Sequence, residues 1–287
     1  NLILNNQQSK QTTINKVVSI SGIGLHTGVK TTATFKPAPE NFGIRFKRLD
    51  LKNCPEIVAD IDHVIDISRG TTIGQKDFRI HTVEHILSAI FGLQIDNILI
   101  ELTEKEPPVM DGSAKPFVDI LLKAGIKEQK ARRKELVIDR PISYIEPNRG
   151  VEIHILPADS FRITFTTDYT YPALGSSTCS LYSLENNFIN EFAPARTFCF
   201  FSEIEELHSL DLIKGGSLDN AIIFNNELVS VSKMKYDSNN NLIEGIVNAA
   251  SHPVFSETGL FEFTKEKSVI DSLKQLYKKN NKFYNYS

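Results

Sequence analysis

The segment that determines the fold prediction is Arg79-Ile80-His81-Thr82-Val83-Glu84-His85-Ile86-Leu87-Ser88-Ala89-Ile90. Its apolar residues follow the i, i+3, i+4, i+7 spacing of an amphipathic helix: Val83, Ile86, Leu87 and Ile90. At about 100° per residue, the polar side chains share the other side: His81, Glu84, His85 and Ser88. We predict that Thr82 caps this helix, which places Glu84 and His85 in its first turn.

Glu84 and His85 are the first candidates for catalytic residues. A carboxylate beside an imidazole is the pair that metal-assisted hydrolysis requires, the carboxylate as base and the imidazole as metal ligand. The alternative is a polar helix face that contacts only water, which is the more frequent meaning of so short a pattern. Other motifs must therefore decide between the two.

The composition is that of a globular protein without an electrostatic bias toward polyanions. Of the 287 residues, 41% are hydrophobic and 23% are charged, and this length suggests two domains with separate cores. The net charge of −3 gives no general attraction to nucleic acid or to an anionic membrane surface. We therefore expect no nucleic-acid partner.

Cysteine usage and hydropathy bear on the compartment. The sequence contains no apolar run of about 18 residues, so we expect no transmembrane segment. Residues 1–8 are polar and do not resemble a signal peptide. The three cysteines, Cys54, Cys179 and Cys199, suit neither a disulfide framework nor a zinc knuckle. We expect reduced thiols in a cytoplasmic protein, and we expect that protein to be a monomer.

The first half is predicted to contain short strands followed by two helices. Alternating apolar residues predict strands at residues 13–20, Val29–Phe35, Phe42–Phe46 and Asn97–Leu102. Ser21–Gly28 is predicted to be a strand-to-strand turn, because it lacks a GxxxxGK[ST] motif and no helix follows it. The second helix has the apolar set Phe117, Ile120, Leu121 and Ala124, with Asp111 or Ser113 as its cap.

The second half repeats the pattern of the first. In both halves a Gly-Val pair, at residues 28–29 and 150–151, leads into a strand, then to Pro-Ala, and then to a strand with alternating apolar residues. A duplicated unit of strands and two helices is the simplest explanation. The predicted boundaries are 1–128 for the first domain, 129–134 for a basic linker and 135–287 for the second domain.

The duplication predicts a second-half helix equivalent to the one that begins near Glu84. The candidate is 240–250, with Asn240 and Glu244 on one face. Its buried side would contain Leu242, Ile243, Ile246 and Val247. A strand and a last helix would complete the unit at Leu260–Thr264 and Ser268–Lys279. Two such domains facing each other would place their first helices side by side, with a cleft between them.

Six motifs occur in a specific order along the chain. They are Ser21–Gly28 (SGIGLHTG), Thr82–His85 (TVEH), Ile95–Leu99 (IDNIL), Pro108–Phe117 (PVMDGSAKPF), Ala195–Phe200 (ARTFCF) and Gly215–Ala221 (GGSLDNA). Together they resemble the UDP-3-O-acyl-N-acetylglucosamine deacetylases, the zinc amidases of lipid A biosynthesis. The resemblance implies an α+β fold of two similar βααβ-type domains, with helices packed between two mostly antiparallel sheets. It also implies Zn as cofactor and a UDP-acyl-glucosamine-type small molecule as substrate.

The resemblance further implies roles for individual residues. Glu84 matches the general base, His85 a zinc ligand, and Thr197 the hydroxyl that stabilises the tetrahedral oxyanion. His26 matches a histidine near the substrate. Three other residues lie in segments that match the passage for the acyl chain: Phe198, Gly216 and Ser217. These roles agree with the general chemistry of metal-assisted amide hydrolysis.

The sequence departs from the family where the other zinc ligands are expected. The family's HKxLDxxGD motif is absent, and the best register puts Asn240 at the zinc histidine and Glu244 at the zinc aspartate. A neutral amide is a poor ligand, and catalytic zinc usually has three protein ligands. Asp237 and His252 are alternative donors.

Three functions therefore stay open. The first is a zinc-dependent deacetylase with an unusual ligand set. The second is a catalytically inactive paralogue that binds the UDP-acyl-sugar or the active enzyme. The third is a purely structural role, against which the intact Glu84-His85 pair and Thr197 argue.

Overall fold

The computed structural model describes residues 9–76, 78–169 and 174–224, and it also assigns two short strands at 235–236 and 242–244. The architecture is α+β, as predicted, with few helices and several mostly antiparallel sheets. The strands, in chain order, are β1 (Lys10–Ile14), β2 (Val18–Ile23), β3 (Lys30–Pro37), β4 (Ile44–Arg48), β5 (Glu56–Val58), β6 (Val64–Asp66), β7 (Thr72–Gln75), β8 (Phe78–Ile80), β9 (Ile98–Leu102), β10 (Ile126–Arg132), β11 (Ile142–Glu146), β12 (Val151–Ile155), β13 (Ile163–Asp168), β14 (Ser176–Leu181), β15 (Phe198–Phe200), β16 (Ile222–Phe224), β17 (Lys235–Tyr236) and β18 (Leu242–Glu244).

The helices of the first half lie where the apolar periodicity predicts them. The helical segments are α1 (Glu84–Gly92), α2 (Lys115–Ala124), a π-helix (Leu184–Phe192), α3 (Ile204–Ser209) and 3-10 turns at Ile61–His63, Pro147–Arg149 and Phe201–Glu203. In α2, three of the four predicted apolar residues are buried: Phe117, Leu121 and Ala124. The fourth, Ile120, is partly buried against the same core. Neither Asp111 nor Ser113 is the N-cap of α2 as predicted, because the N-cap is Ala114, which has no side chain that can accept; the Ser113 hydroxyl accepts from the Lys115 N–H in the turn before the helix.

The largest sheet brings α1 to the core. Its strand order is β2-β3-β9-β4-β5, and all neighbours are antiparallel except β4 and β9. A parallel pair needs a long crossover connection, and here that connection contains β5 to β8 and α1. β6, β7 and β8 form an antiparallel sheet of their own. The remaining pairs are β1 with β10, β11 with β12, β13 with β14, β17 with β18, all antiparallel, and β15 with β16, which is parallel.

The apolar stripe of α1 packs into the main hydrophobic core. Val83, Ile86 and Ile90 are fully buried, and Leu87 is partly buried against them. The sheet contributes large buried side chains to the same cluster: Phe35, Phe46, Ile98 and Ile100. Side chains of the second half also join this core: Leu181, Phe188 and Phe192. Burial of this stripe supplies the hydrophobic free energy that holds α1 in place.

Two segments of the first half differ from the prediction. The strand predicted at 13–20 is interrupted between β1 and β2, because the Asn15 N–H donates to the Gly125 carbonyl (2.8 Å) instead of continuing a ladder. The basic linker predicted at 129–134 is partly strand β10, paired with β1. Arg133, just after it, forms an ion pair with Asp96 (2.8 Å). The charged side chains of this segment face largely outward while its backbone pairs, so composition alone did not reveal the strand.

The helix predicted at 240–250 is wrong over residues 242–244. These residues form β18, which pairs antiparallel with β17. Two adjacent apolar residues suit a helical and a strand period equally over so short a stretch, so the sequence pattern could not separate them. Several predicted features lie outside the described residues: Asn240, Ile246, Val247, Leu260–Thr264 and Ser268–Lys279.

The structure does not confirm the predicted internal repeat, although the first hairpin of each half has a glycine at the same place. Gly28 (φ +66°) and Gly150 (φ +64°) both precede the second strand of an antiparallel hairpin, β2–β3 and β11–β12. The following strands differ in their pairing, since β4 lies between β9 and β5 whereas β13 pairs with β14. The repeat beyond the first hairpin therefore stays a prediction.

The cysteines of this chain are free thiols, as expected. Burial raises the pKa of Cys179 and of Cys199, which disfavours the reactive thiolate at both positions. Within the described part of the chain, no helix is both long enough and apolar enough to cross a membrane.

Candidate active site

The predicted catalytic pair is buried at the start of α1. Glu84 is 8% exposed and His85 is 7% exposed, and Glu84 Oε1 lies 4.0 Å from His85 Nε2. The backbone N–H of Thr71 donates to Glu84 Oε2 at 2.8 Å. A negative charge in the first turn also interacts favourably with the helix dipole. The polar side of α1 is thus a buried, oriented carboxylate–imidazole pair and not a solvated face.

Gly70 allows the loop before β7 to pass close to the Glu84 carboxylate. Its φ is +145°, a region that side chains rarely adopt, and a Cβ at this position would lie 3.0 Å from Glu84 Oε1. Thr71 follows directly and provides the N–H that holds Glu84. The loop therefore both approaches and orients the carboxylate.

Thr82 does not cap α1 as predicted, and it is strained instead. Its φ is +56°, an outlier for a β-branched residue, and its hydroxyl donates to Glu106 Oε1 (2.8 Å). The Val83 N–H next to it donates to the Thr71 carbonyl (3.1 Å). The segment before α1 is therefore held by tertiary contacts, and these replace the local cap that the sequence predicted.

His26 lies where the first half meets the second. Its Nε2 contacts the Arg69 carbonyl (3.1 Å), which can only accept, so Nε2 carries the proton. Nδ1 then accepts from the Ile213 N–H at the long distance of 3.5 Å. The Lys214 N–H donates to the carbonyl of His26 (3.4 Å). Because Arg69 leads into the Gly70–Thr71 loop, His26 shares its supporting loop with Glu84.

Gly216 and Ser217 belong to a segment that packs on the turn carrying His26. The preceding residue, Gly215, donates its N–H to the Leu25 carbonyl (2.9 Å). A Cβ on Gly215 would overlap the Gly24 carbonyl oxygen, so the two backbones can meet only at a glycine. Gly216 N–H donates to the Ile213 carbonyl, and Ser217 N–H donates to the side chain of Asn220. The structure therefore brings three predicted substrate residues into one region.

Thr197 is placed by its backbone. Its N–H donates to the Gly112 carbonyl (2.7 Å) and its carbonyl accepts from the Ile222 N–H (3.0 Å). Both bonds are made by backbone atoms, so neither involves the Thr197 hydroxyl. These bonds tie Thr197 to the loop that precedes α2, within one of the six motifs.

Phe198 belongs to an aromatic cluster formed by Tyr169, Phe198, Phe200 and Phe224. The Phe198 ring centroid lies 5.9 Å from that of Tyr169, 5.8 Å from that of Phe200 and 5.3 Å from that of Phe224, all edge to face. Such a cluster is an apolar surface of defined geometry. It is suited to contact a hydrocarbon chain, which is the role expected for Phe198.

Two residues near the pair were not predicted as site residues from the sequence, Glu106 and Thr71. Glu106 is fully buried and accepts hydrogen bonds from the backbone of His26 and Thr27 and from the hydroxyl of Thr82. His81 is half-buried, and burial lowers its pKa below the usual 6.5, against the opposing effect of the Glu106 charge. In the sequence, Glu106 stands directly before two prolines, and this pattern predicts a loop but not a site residue.

The described residues do not complete a catalytic zinc site. Among them, no group of three or more His, Cys, Asp or Glu side chains could hold a metal ion. His85 offers one imidazole beside the Glu84 carboxylate, whereas catalytic zinc usually has three protein ligands. Of the other candidate donors, Glu244 lies on β18 and three lie outside the described residues: Asp237, Asn240 and His252.

A buried carboxylate–imidazole pair at a helix start is the kind of site that metal-assisted hydrolases use. The family model described as LpxC, UDP-3-O-acyl N-acetylglycosamine deacetylase, matches residues 11–240 of this chain. The chain belongs to this family.

Curated relatives agree with this assignment. The bifunctional enzyme LpxC/FabZ of Chlorobaculum tepidum is 47% identical over 250 residues, which cover 87% of this chain and 52% of that protein. UDP-3-O-acyl-N-acetylglucosamine deacetylase of Myxococcus xanthus is 39% identical, over 74% of this chain and 67% of the relative. The deacetylase of Legionella pneumophila (strain Paris) is 44% identical, over 75% and 70%. The chain thus spans about half of the bifunctional relative and about two thirds of the others.

Proposed function

We propose that this protein hydrolyses the acetamide of a UDP-3-O-acyl-N-acetylglucosamine, the deacetylation that its family performs in lipid A biosynthesis. The observation that carries the proposal is the buried pair of Glu84 and His85, oriented by the Thr71 N–H. A solvated helix face would not need such burial. Burying two polar side chains is costly, so their placement is explained by chemistry rather than by stability.

The residues of this chain take distinct roles in the proposed reaction. Glu84 is the general base, because its carboxylate is oriented by the Thr71 N–H and lies 4.0 Å from the imidazole of His85. His85 would be one ligand of Zn²⁺, which would supply Lewis-acid chemistry at this site. The hydroxyl of Thr197 donates to the oxyanion. The candidates for the other zinc ligands are those that the sequence offers: Glu244 and Asn240, with Asp237 and His252 as alternatives.

The substrate would be held by two surfaces. The aromatic cluster contacts the acyl chain through Phe198. His26 would lie near the substrate, and Gly216 and Ser217, on the segment packed against its turn, would line the passage for the acyl chain.

A second function rests on one feature of the sequence, which lacks the HKxLDxxGD motif that carries the family's other zinc ligands. In this alternative the protein is a catalytically inactive paralogue that binds the UDP-acyl-sugar or the active enzyme. The fold and the aromatic cluster would be retained for binding, while the metal site would have been lost.

Acetate release from UDP-3-O-acyl-N-acetylglucosamine, measured together with bound zinc, tests the proposal. We expect close to one equivalent of zinc in protein purified without chelator, and Glu84→Gln should abolish acetate release while it leaves zinc bound. Glu104→Gln, on a half-exposed side chain, is the matched control. Less than a tenth of an equivalent of zinc, without rescue on adding zinc, would reject the enzyme. Binding of the substrate in that case would establish the alternative.

We further propose a cytoplasmic monomer with two domains, 1–128 and 135–287, as the functional unit. The cross-half contacts at His26 and at Thr197 support cooperation of the two parts in one site. Light scattering after size-exclusion chromatography tests the monomer, since a dimer would elute with twice the mass.

A further inference from the structure

Glu106 is a buried carboxylate with an unusual set of partners. Its side chain is fully buried, and within the described part of the chain its hydrogen bonds come from neutral donors. The His26 N–H reaches Oε1 at 3.0 Å, the Thr27 N–H reaches Oε2 at 2.9 Å, and the Thr82 hydroxyl reaches Oε1 at 2.8 Å. Hydrogen bonds to a carboxylate are roughly twice as strong as neutral ones. One side chain thus joins two segments that are distant in sequence.

The first of these segments is the glycine-rich turn that carries His26. Two consecutive backbone N–H groups of this turn point at the Glu106 carboxylate. Gly24 approaches it from the same turn, and a Cβ there would lie 2.6 Å from Glu106 Oε2. The turn is therefore shaped around the carboxylate, and the glycine is required by this close approach.

The second segment is the entry to α1. Thr82 adopts φ +56°, a conformation that is unfavourable for a β-branched residue and persists only where its surroundings enforce it. Its hydroxyl bond to Glu106 is one restraint, and the His81 N–H bond to the Lys105 carbonyl (2.9 Å) is another on the same loop. Glu84 follows Thr82 by two residues, so the conformation of Thr82 sets where α1 begins.

We propose that Glu106 is a positioning residue that sets His26 and the Glu84–His85 pair relative to each other. It holds the turn of His26 with one set of bonds and the strained residue before α1 with another. It does not itself contact the reacting atoms. This inference rests on the proposed function only for its activity readout.

Glu106→Gln in the full-length protein is the first test, with Glu104→Gln as the matched control. The amide keeps the volume but presents an NH2 group to N–H donors, so at least one of the three bonds is lost. We expect the amide resonances of His26 and Thr27, and those of residues 81–85, to shift in Glu106→Gln and to stay unchanged in the control. We expect kcat to fall about 100-fold with little change in KM, because the loss is one of alignment.

A second pair of variants, at Thr82, changes the side chain so little that the protein should fold normally. Thr82→Val keeps the β-branched shape and removes only the hydroxyl, and Thr82→Ser restores it. We expect Thr82→Val to reproduce the amide shifts at residues 84–85 and Thr82→Ser to reverse them. The effects of Glu106→Gln and Thr82→Val on kcat should not multiply in the double variant, because both break the same link.

The outcomes separate this inference from the proposed function. If wild-type protein releases no acetate, the function fails, but the amide shifts still decide the role of Glu106. Unchanged resonances at residues 81–85 in both Glu106→Gln and Thr82→Val would overturn the positioning role. Losses in kcat that multiply in the double variant would overturn it as well.

Discussion

The backbone N–H of Thr71 lies 2.8 Å from Glu84 Oε2, and this bond fixes the carboxylate at the entry of α1. Thr71 can reach Glu84 only because Gly70, with φ +145°, lets the loop pass beside the carboxylate. The Thr71 carbonyl also accepts from the Val83 N–H (3.1 Å). One residue of the loop thus holds both the backbone and the side chain at the start of the helix.

Gly70→Ala should displace the Glu84 carboxylate. The new Cβ would lie 3.0 Å from Oε1, and φ +145° is unfavourable for any side chain. We expect acetate release to fall by at least about tenfold through misplacement of the base and stability to fall by about 1–3 kcal/mol. Rates and thermal unfolding midpoints measure the two effects.

Gly43→Ala is the matched control for this change. Gly43 also has a positive φ (+76°), but a Cβ there would meet no atom within 4 Å. It should lose stability and keep its activity. Equal losses of activity in both variants would show that strain alone, and not contact with Glu84, reduces the rate.

Thr197→Val should reduce kcat without unfolding the protein. The bonds that place Thr197 join its backbone to Gly112 and Ile222, so they survive a change of side chain. Loss of one oxyanion donor typically lowers kcat by about 10²–10³-fold. Thr197→Ser should retain most of the activity. Wild-type rates in Thr197→Val would remove this hydroxyl from the mechanism.

Gly92→Ala should destabilise the protein although it lies in a helix. Alanine in a helix interior is normally favoured over glycine by about 1 kcal/mol. Here a Cβ would overlap the Phe188 ring of the π-helix, which packs on the last turn of α1. Overpacking costs about 1–3 kcal/mol, so the net effect should be destabilising. Denaturant unfolding of Gly92→Ala measures the loss of stability. In the double variant Gly92→Ala/Phe188→Leu, the smaller side chain at 188 should restore part of that stability.

His81 should make stability fall in mild acid. Burial lowers the pKa of His81 below 6.5, with the charge of Glu106 opposing this, and Lys105, His26 and Arg79 adding to the lowering. The unfolded chain then binds a proton more readily than the folded one, so this contribution is present above pH 6.5 and is lost as pH falls through the folded pKa. His81→Asn should flatten the pH dependence of the free energy of unfolding below pH 6.5. His208→Asn, on an exposed histidine, should leave it unchanged.

The sequence by itself determined the positions of α1 and α2. Apolar spacing located α1 and α2 because helical periodicity is a local property, and Val83, Ile86 and Ile90 are buried as that spacing requires. The order of six motifs predicted the family that the comparisons show. Glu84 and His85 were candidates from residue type and neighbourhood alone.

Only the tertiary structure decided how that pair is held. Thr71 and Glu106 contact the entry of α1 from two different loops, the one before β7 and the one after β9, and a local sequence pattern does not predict such contacts. The prediction that Thr82 caps α1 considered only local hydrogen bonds. In the structure, the Thr82 hydroxyl donates to Glu106, which is 24 residues away, and Thr82 adopts φ +56°. The linker prediction at 129–134 missed β10 because a local pattern does not show long-range pairing, and the partner strand β1 lies at the other end of the first half. Long-range contacts can override local preference wherever they stabilise more than the local alternative.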